Sequence, residues 1–240
     1  MQNVNNQPIE MESRLNDKRV KKFLVLDTET IGVSDRGVFD IGYIICDKQG
    51  NKFIKRSYLV KELFLDQKRM SKAYYFSKYP QYLQGLNDGE FQIETWENIL
   101  KEMYTLIKKY DVKTVSAYNL AFDLSAIQYT NKDLRNKDFK MFDDIEKLCI
   151  WGLSAETICQ QKTFKKQVLE KGILTASKKF LSTSAETVYK YITQQWDFEE
   201  SHTGLQDVEI EVDILSRAIR QNKKISKGIL ASPYRLAKIN

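Results

Sequence analysis

Apolar residues in this chain come in short blocks. Phe23-Leu24-Val25-Leu26 is four in a row, bounded by polar residues, and predicts a strand buried on both faces. Residues 38–46 are apolar and β-branched and predict a second strand. Residues 47–52 read as a turn, and residues 53–59 alternate as a third strand. The short connections make these three an antiparallel meander. Residues 114–118 predict a fourth strand and residues 140–142 a short fifth. Elsewhere the spacing is helical. Trp96, Ile99, Leu100, Met103, Leu106, Ile107 and Tyr110 fall on one stripe of a helix over 95–110. Another helix follows Asn119-Leu120-Ala121-Phe122-Asp123. Residues 143–195 are mostly helical, with breaks near Gly152, Gly172 and Ser182-Thr183-Ser184, and 186–191 predict a packing helix. Thr203-Gly204-Leu205-Gln206 has the pattern of a capping box with Thr203 as N-cap. The helix it opens would bury Leu205, Val208, Val212, Leu215 and Ile219.

With 3 prolines, 10 glycines and no Ser/Gly/Pro-rich linker, 240 residues predict one domain of α/β class. Its expected bounds are 19–225, carrying a helical elaboration over about 143–195. A flexible tail (1–18) precedes it and a C-terminal extension (226–240) follows. No run approaches the roughly 20 apolar residues of a membrane span, and the polar N-terminus has no apolar core for a signal peptide. The three cysteines have no paired spacing, so neither a disulfide framework nor a zinc knuckle is predicted. A cytoplasmic protein of bacterial origin, or a bacteriophage protein acting in its host's cytoplasm, is the resulting expectation. The net charge of +6 favours a polyanionic partner. Within 61–86, Lys61, Lys68, Arg69, Lys72 and Lys78 alternate with Tyr74, Tyr75, Tyr79 and Tyr82. That pattern fits a helix with half-buried tyrosines, or a track whose cations follow phosphates while rings stack on bases.

The first strand ends in Asp27-Thr28-Glu29-Thr30. Side chains alternate along a strand, so Asp27 and Glu29 point the same way, and two carboxylates held together raise each other's pKa. Folding alone gives no reason for this; a hard divalent cation does. The plainer alternative is a pair of solvated turn residues. Asp123 lies just beyond the fourth strand and Asp207 in the first turn of the last helix. If the first and fourth strands are neighbours, their carboxyl ends open on one edge, where ligands of α/β folds bind. His202, the single histidine, precedes that helix, and its near-neutral pKa suits a general base. A surface or capping role is the alternative for a histidine considered by itself.

Together, three stretches resemble the DEDDh branch of the DnaQ-like 3′–5′ exonucleases: Leu26-Asp27-Thr28-Glu29-Thr30, Asn119-Leu120-Ala121-Phe122-Asp123 and His202-Thr203-Gly204-Leu205-Gln206-Asp207. The resemblance spans about residues 22–220. It implies an RNase H-like mixed sheet of five strands in the order 3-2-1-4-5, flanked by helices, and hydrolysis of 3′ ends with two Mg2+ or Mn2+ ions. By motif position, Asp27 would bridge the ions, Glu29 and Asp207 would hold one and Asp123 the other, and His202 would be the base. Thr28, Thr30, Asn119 and Phe122 would meet the terminal nucleotide. The implied partner is a single-stranded 3′ end of DNA, with a polymerase or replication protein as a further partner. The alternatives are an exoribonuclease trimming RNA and a polymerase-associated binding module with little or no catalysis.

Overall fold

Among the residues described by this computed structural model, 7–226 and 228–239, six strands form one sheet. They are β1 (Lys22–Thr30), β2 (Val38–Asp47), β3 (Lys52–Val60), β4 (Gln92–Glu94), β5 (Thr114–Ala117) and β6 (Glu146–Cys149), lying in the order β4-β3-β2-β1-β5-β6. β1, β2 and β3 are the expected antiparallel meander, while β5 runs parallel to β1 and β6 parallel to β5. The helices are α1 (Gln7–Asn16), α2 (Lys61–Phe64), α3 (Gln67–Met70), α4 (Tyr79–Asn87), α5 (Trp96–Lys109), α6 (Leu120–Arg135), α7 (Ile150–Glu156), α8 (Lys162–Glu170), α9 (Ala185–Thr193) and α10 (Gly204–Ile219).

Two hydrophobic layers cover the sheet. On one side Leu24, Leu26, Ile41 and Tyr43 pack against Trp96, Ile99 and Met103 of α5 and Ala126 and Ile127 of α6. On the other, Phe23, Val25, Ile44 and Cys46 pack against α7, α8, α9 and the Val208, Val212 and Leu215 stripe of α10. The unbroken apolar run of β1 follows from this, because both of its faces are roofed by helices. Alternation along β1 then continues the α10 side from Phe23 and Val25 to Asp27 and Glu29.

Several sequence expectations are corrected. The last strand is not 140–142 but Glu146–Cys149. Residues 140–142 enter a turn, closed by the Asp143 amide on the Lys140 carbonyl at 3.2 Å, in which Phe142 is buried against Phe139. β6 escapes a periodicity search because it is an edge strand that buries only Cys149. The additional strand β4, which extends the expected five-strand order at the β3 edge, is three residues long, too short for any pattern. Gly152 lies inside α7 rather than at a break, whereas Gly172 (φ 67°) and Ser184, the N-cap of α9, do mark chain breaks. Part of the expected N-terminal tail, residues 1–6, lies outside the described residues; Gln7–Asn16 is helical. That helix is held by Arg14, whose guanidinium pairs with the buried Asp47 carboxylate at 2.5 Å, and by Leu15 packed on the core.

Thr203 does occupy the N-cap of α10, but its side chain makes no capping bond to the helix. Another of the helix's open donors, the Gly204 N–H, is taken by Asp40 Oδ2 of β2 at 2.9 Å. The cap is supplied from the sheet.

Candidate active site

β1, α6 and α10 each deliver acids to one cleft of about 660 Å³. Asp27, Thr28, Glu29 and Thr30 come from the end of β1. Asn119, Phe122 and Asp123 come from the start of α6, and His202 and Asp207 from the start of α10. Thus all nine positions singled out in the sequence line the same cavity. The parallel pairing of β5 with β1 is the reason, because it brings the α6 N-terminus beside the end of β1.

The geometry is uneven around the cleft. Ligand atoms of Glu29, His202 and Asp207 all lie within 4.8 Å of one another. Asp123 is turned toward β1, where its Oδ1 accepts from the Thr28 amide at 3.1 Å and the Thr28 hydroxyl at 2.8 Å. That gives Thr28 a definite role: it orients Asp123.

Burial pushes the Asp27 carboxyl well above the usual carboxylate range, with Asp123, Glu211, Glu29 and Asp207 adding repulsion. Glu29 is raised likewise by burial, then by Asp40 and Asp207. Burial lifts Asp207 to about 8 and Asp123 to about 7, the latter against the two Thr28 hydrogen bonds. Such crowding is stable only with protons or cations among the oxygens. The donors are hard carboxylate oxygens with one imidazole, a set that suits Mg2+ or Mn2+.

His202 is set in place by the segment between α3 and α4. Its imidazole stacks on Tyr75 at 5.1 Å and 13°, and the Lys78 ammonium lies 4.9 Å from the centre of the same Tyr75 ring. Lys78 Nζ also donates to the Ser201 carbonyl. His202 itself has φ 53°, a left-handed conformation that a non-glycine residue adopts at some cost. Burial and the Lys78 charge lower its pKa, which favours the neutral imidazole.

Three acids of the site were missed in the sequence. Glu211, buried and raised well above its usual range by burial and by Asp123 and Asp207, accepts from the Tyr118 amide at 3.1 Å. It stands one helical turn beyond Asp207, a spacing that would have found it. Glu200, lifted to about 7 mainly by burial, sits two residues before His202. Asp40 is fully buried beside Glu29, its register partner on β1, and its signal was an acid inside an otherwise apolar run. The Tyr-rich stretch divides: Tyr82 is core, Tyr79 stacks on Phe64, Tyr75 supports His202, and Tyr74 is 79% exposed at the cleft.

No protein-family model and no curated protein matches the chain. Solved structures do. The zinc-bound complex of E. coli exonuclease I with single-stranded DNA aligns at TM-score 0.55 and 16% identity, over 85% of this chain and 42% of that one. A product-bound exonuclease I aligns at TM-score 0.55 and 14% identity, over 84% and 44%. S. pombe Pop2p, in an Mg2+- and Mn2+-bound form, covers 98% of this chain and 92% of its own at 14% identity, but its TM-score of 0.45 is too low to weigh. The chain spans less than half the length of the exonuclease I chains, and at these identities the likeness is one of fold. Over most of its length, then, this chain shares the fold of the part of exonuclease I that it matches.

Proposed function

We propose that the protein is a metal-dependent 3′–5′ exonuclease acting on single-stranded nucleic acid, DNA in the first instance. The observation that carries this reading is the convergence of Asp27, Glu29, Asp123, Asp207 and His202 in one cleft, on a fold shared with exonuclease I. Glu29 and Asp207 would hold one divalent cation, Asp123 a second, and Asp27 both. Bound there, the cations supply neutralisation of the crowded carboxylates and polarisation of the scissile phosphodiester.

The chain's own residues do the rest. Of the three groups within 4.8 Å, the two carboxylates suit a hard cation and the imidazole suits proton transfer. Neutral His202 takes the proton of a water attacking phosphorus. The bond to the 3′-oxygen of the penultimate nucleotide breaks, that oxygen takes up a proton from solvent, and a nucleoside 5′-monophosphate leaves. Tyr75 holds the imidazole plane while this occurs. Thr30, Asn119 and Phe122, which line the same cleft, would contact the terminal nucleotide, and Phe122, 37% exposed, would offer it a ring face.

Purified protein given 5′-labelled oligonucleotide should produce a descending ladder with Mg2+ or Mn2+ and none with EDTA. Undiminished hydrolysis in EDTA would overturn the reading, and so would intact substrate under every divalent cation. Matched DNA and RNA strands in the same assay decide between the deoxyribonuclease and the exoribonuclease.

A further inference from the structure

The cleft is also lined by a wall of aromatic residues that the proposed chemistry leaves unused. Tyr118, Trp151 and Tyr234 all line it. Their rings follow one another nearly parallel, Tyr118 to Trp151 at 6.4 Å and 19°, Trp151 to Tyr234 at 6.2 Å and 25°. They come from three parts of the chain: the residue after β5, α7, and a 3-10 turn at Pro233–Leu236. Each is fixed from behind. The Tyr118 hydroxyl donates to the Thr183 carbonyl at 2.6 Å, and the Trp151 indole N–H donates to the Thr183 hydroxyl at 2.8 Å. Tyr234 meets Phe180 edge-on at 5.5 Å. The segment that carries Tyr234 is tied down by the Leu181 amide on the Ala237 carbonyl at 2.9 Å and by a bridge between Phe180 and Lys238. Trp151 and Tyr234 keep part of their surfaces open.

Positive charge sits on the two segments that meet at Phe180, the edge-on partner of Tyr234. Lys178 and Lys179 are exposed at the tip of the turn that runs from Thr175, a cleft residue, to Phe180. Lys238 is exposed across the bridge from Phe180. None of these three lysines is in an ion pair among the described residues.

We infer that this wall is a binding track for the unpaired strand upstream of the scissile bond, Trp151 and Tyr234 stacking on bases and the three lysines meeting backbone phosphates. The inference rests on the nuclease reading of the acidic end of the cleft. The combination selects the ligand: ring faces accept any base, cations follow phosphates, and a duplex would keep its base faces hidden from the rings. An apolar peptide would leave the lysines without partners. The helical elaboration and the C-terminal segment thereby acquire a role, since between them they supply Trp151, the lysine-bearing turn and Tyr234. Affinity should grow with the number of unpaired nucleotides, by about tenfold for each base stacked.

The test is binding of 5′-fluorescein oligothymidylates, from about 2 to about 12 nucleotides, to the whole protein in EDTA, with hydrolysis of the same series in Mn2+ run in parallel. Wild type should bind more tightly with length, and the longest strand should quench tryptophan emission. Tyr234→Ala should weaken binding of the longest strand about tenfold, and Tyr234→Phe, which keeps the ring, should restore it. The double variant Lys178→Glu, Lys179→Glu should weaken it as well and flatten its salt dependence. Equal affinity for the shortest and longest strands, preference for blunt duplex, or wild-type length dependence in both the Tyr234→Ala and the lysine variants would overturn the track. If strands bind along this wall but no divalent cation supports hydrolysis, the nuclease reading falls and the track stands. If hydrolysis proceeds while the wall variants keep the wild-type length dependence, the track falls and the nuclease reading stands.

Discussion

Gly42 of β2 and Gly204, the first residue of α10, meet backbone to backbone. A Cβ on Gly204 would stand 2.5 Å from the Gly42 nitrogen, and a Cβ on Gly42 would run into the Gly204 carbonyl and the Leu205 amide. Gly42 is also the register partner of Asp27. The absence of two side chains therefore lets the α10 N-terminus reach the sheet at the level of the acids. Gly42→Ala should force α10 outward, lower stability by about 1–3 kcal/mol, and weaken Mn2+ binding, because Asp207 and His202 travel with the helix. Denaturant melts and metal titration measure both effects, and an unchanged melting midpoint would refute the close-approach account.

Asp40 serves the same junction. Its Oδ2 accepts from the Tyr82 hydroxyl and the Gly204 amide, each at 2.9 Å, while Oδ1 has no hydrogen-bond partner among the described residues. Asp40→Asn keeps an acceptor oxygen and removes a charge that raises the Glu29 pKa. Asp40→Ala leaves two buried donors without a partner. The alanine variant should lose about 2–3 kcal/mol and the asparagine variant much less, as read from urea unfolding. Equal loss in both would mean that charge, not acceptor geometry, matters at this position.

The crowded acids give a signed pH dependence. In the metal-free protein Asp123 and Asp207 keep protons up to about 7 and about 8, whereas the ordinary aspartate value is 3.8. Between those limits the folded state binds more protons than the unfolded one, so stability falls as pH rises. In EDTA the melting temperature should decline from about pH 5 to about pH 8. Mn2+ competes with those protons and should stabilise more at the upper end. A midpoint that is flat or rising over this window in EDTA would contradict the buried-acid arrangement. Below the carboxylate range the trend reverses, since the depressed Asp47, held by Asn51 and Arg14, loses its contribution on protonation.

Asp27→Asn should cut turnover by at least about a hundredfold and raise the melting temperature of the metal-free protein, because it removes a buried carboxyl that must take up a proton on folding. His202→Ala should slow turnover by about 10²–10⁴-fold and spare the carboxylates that bind metal. Calorimetric titration with Mn2+ alongside single-turnover rates separates the two. Metal affinity lost in His202→Ala would make the imidazole a ligand rather than a base.

The legible parts of this molecule were those with a local cause. β1 was readable because burial on both faces demands an unbroken apolar run, and α5 because a stripe from Trp96 to Ile107 has helical period. The edge strands β4 and β6 were not, because one-sided or absent burial leaves no pattern in three or four residues. The capping box was misread for a related reason. Thr203 has the right neighbours and is the N-cap, but its hydroxyl pairs with that of Ser201 at 3.2 Å rather than with a helix amide. The Gly204 amide is held by Asp40, 164 residues away.

The linear order of residues determined by itself the chemistry available here: which carboxylates stand near strand and helix ends, and that a single imidazole accompanies them. Those properties depend on residue type and on contacts a few positions long. Only the folded chain decided that Glu29, His202 and Asp207 come within 4.8 Å, that Thr28 holds Asp123, and that Glu200, Glu211 and Asp40 join the same field. Distances between segments a hundred residues apart are set by how helices pack on both faces of a sheet, and that packing is a sum over the whole core rather than a property of any one stretch.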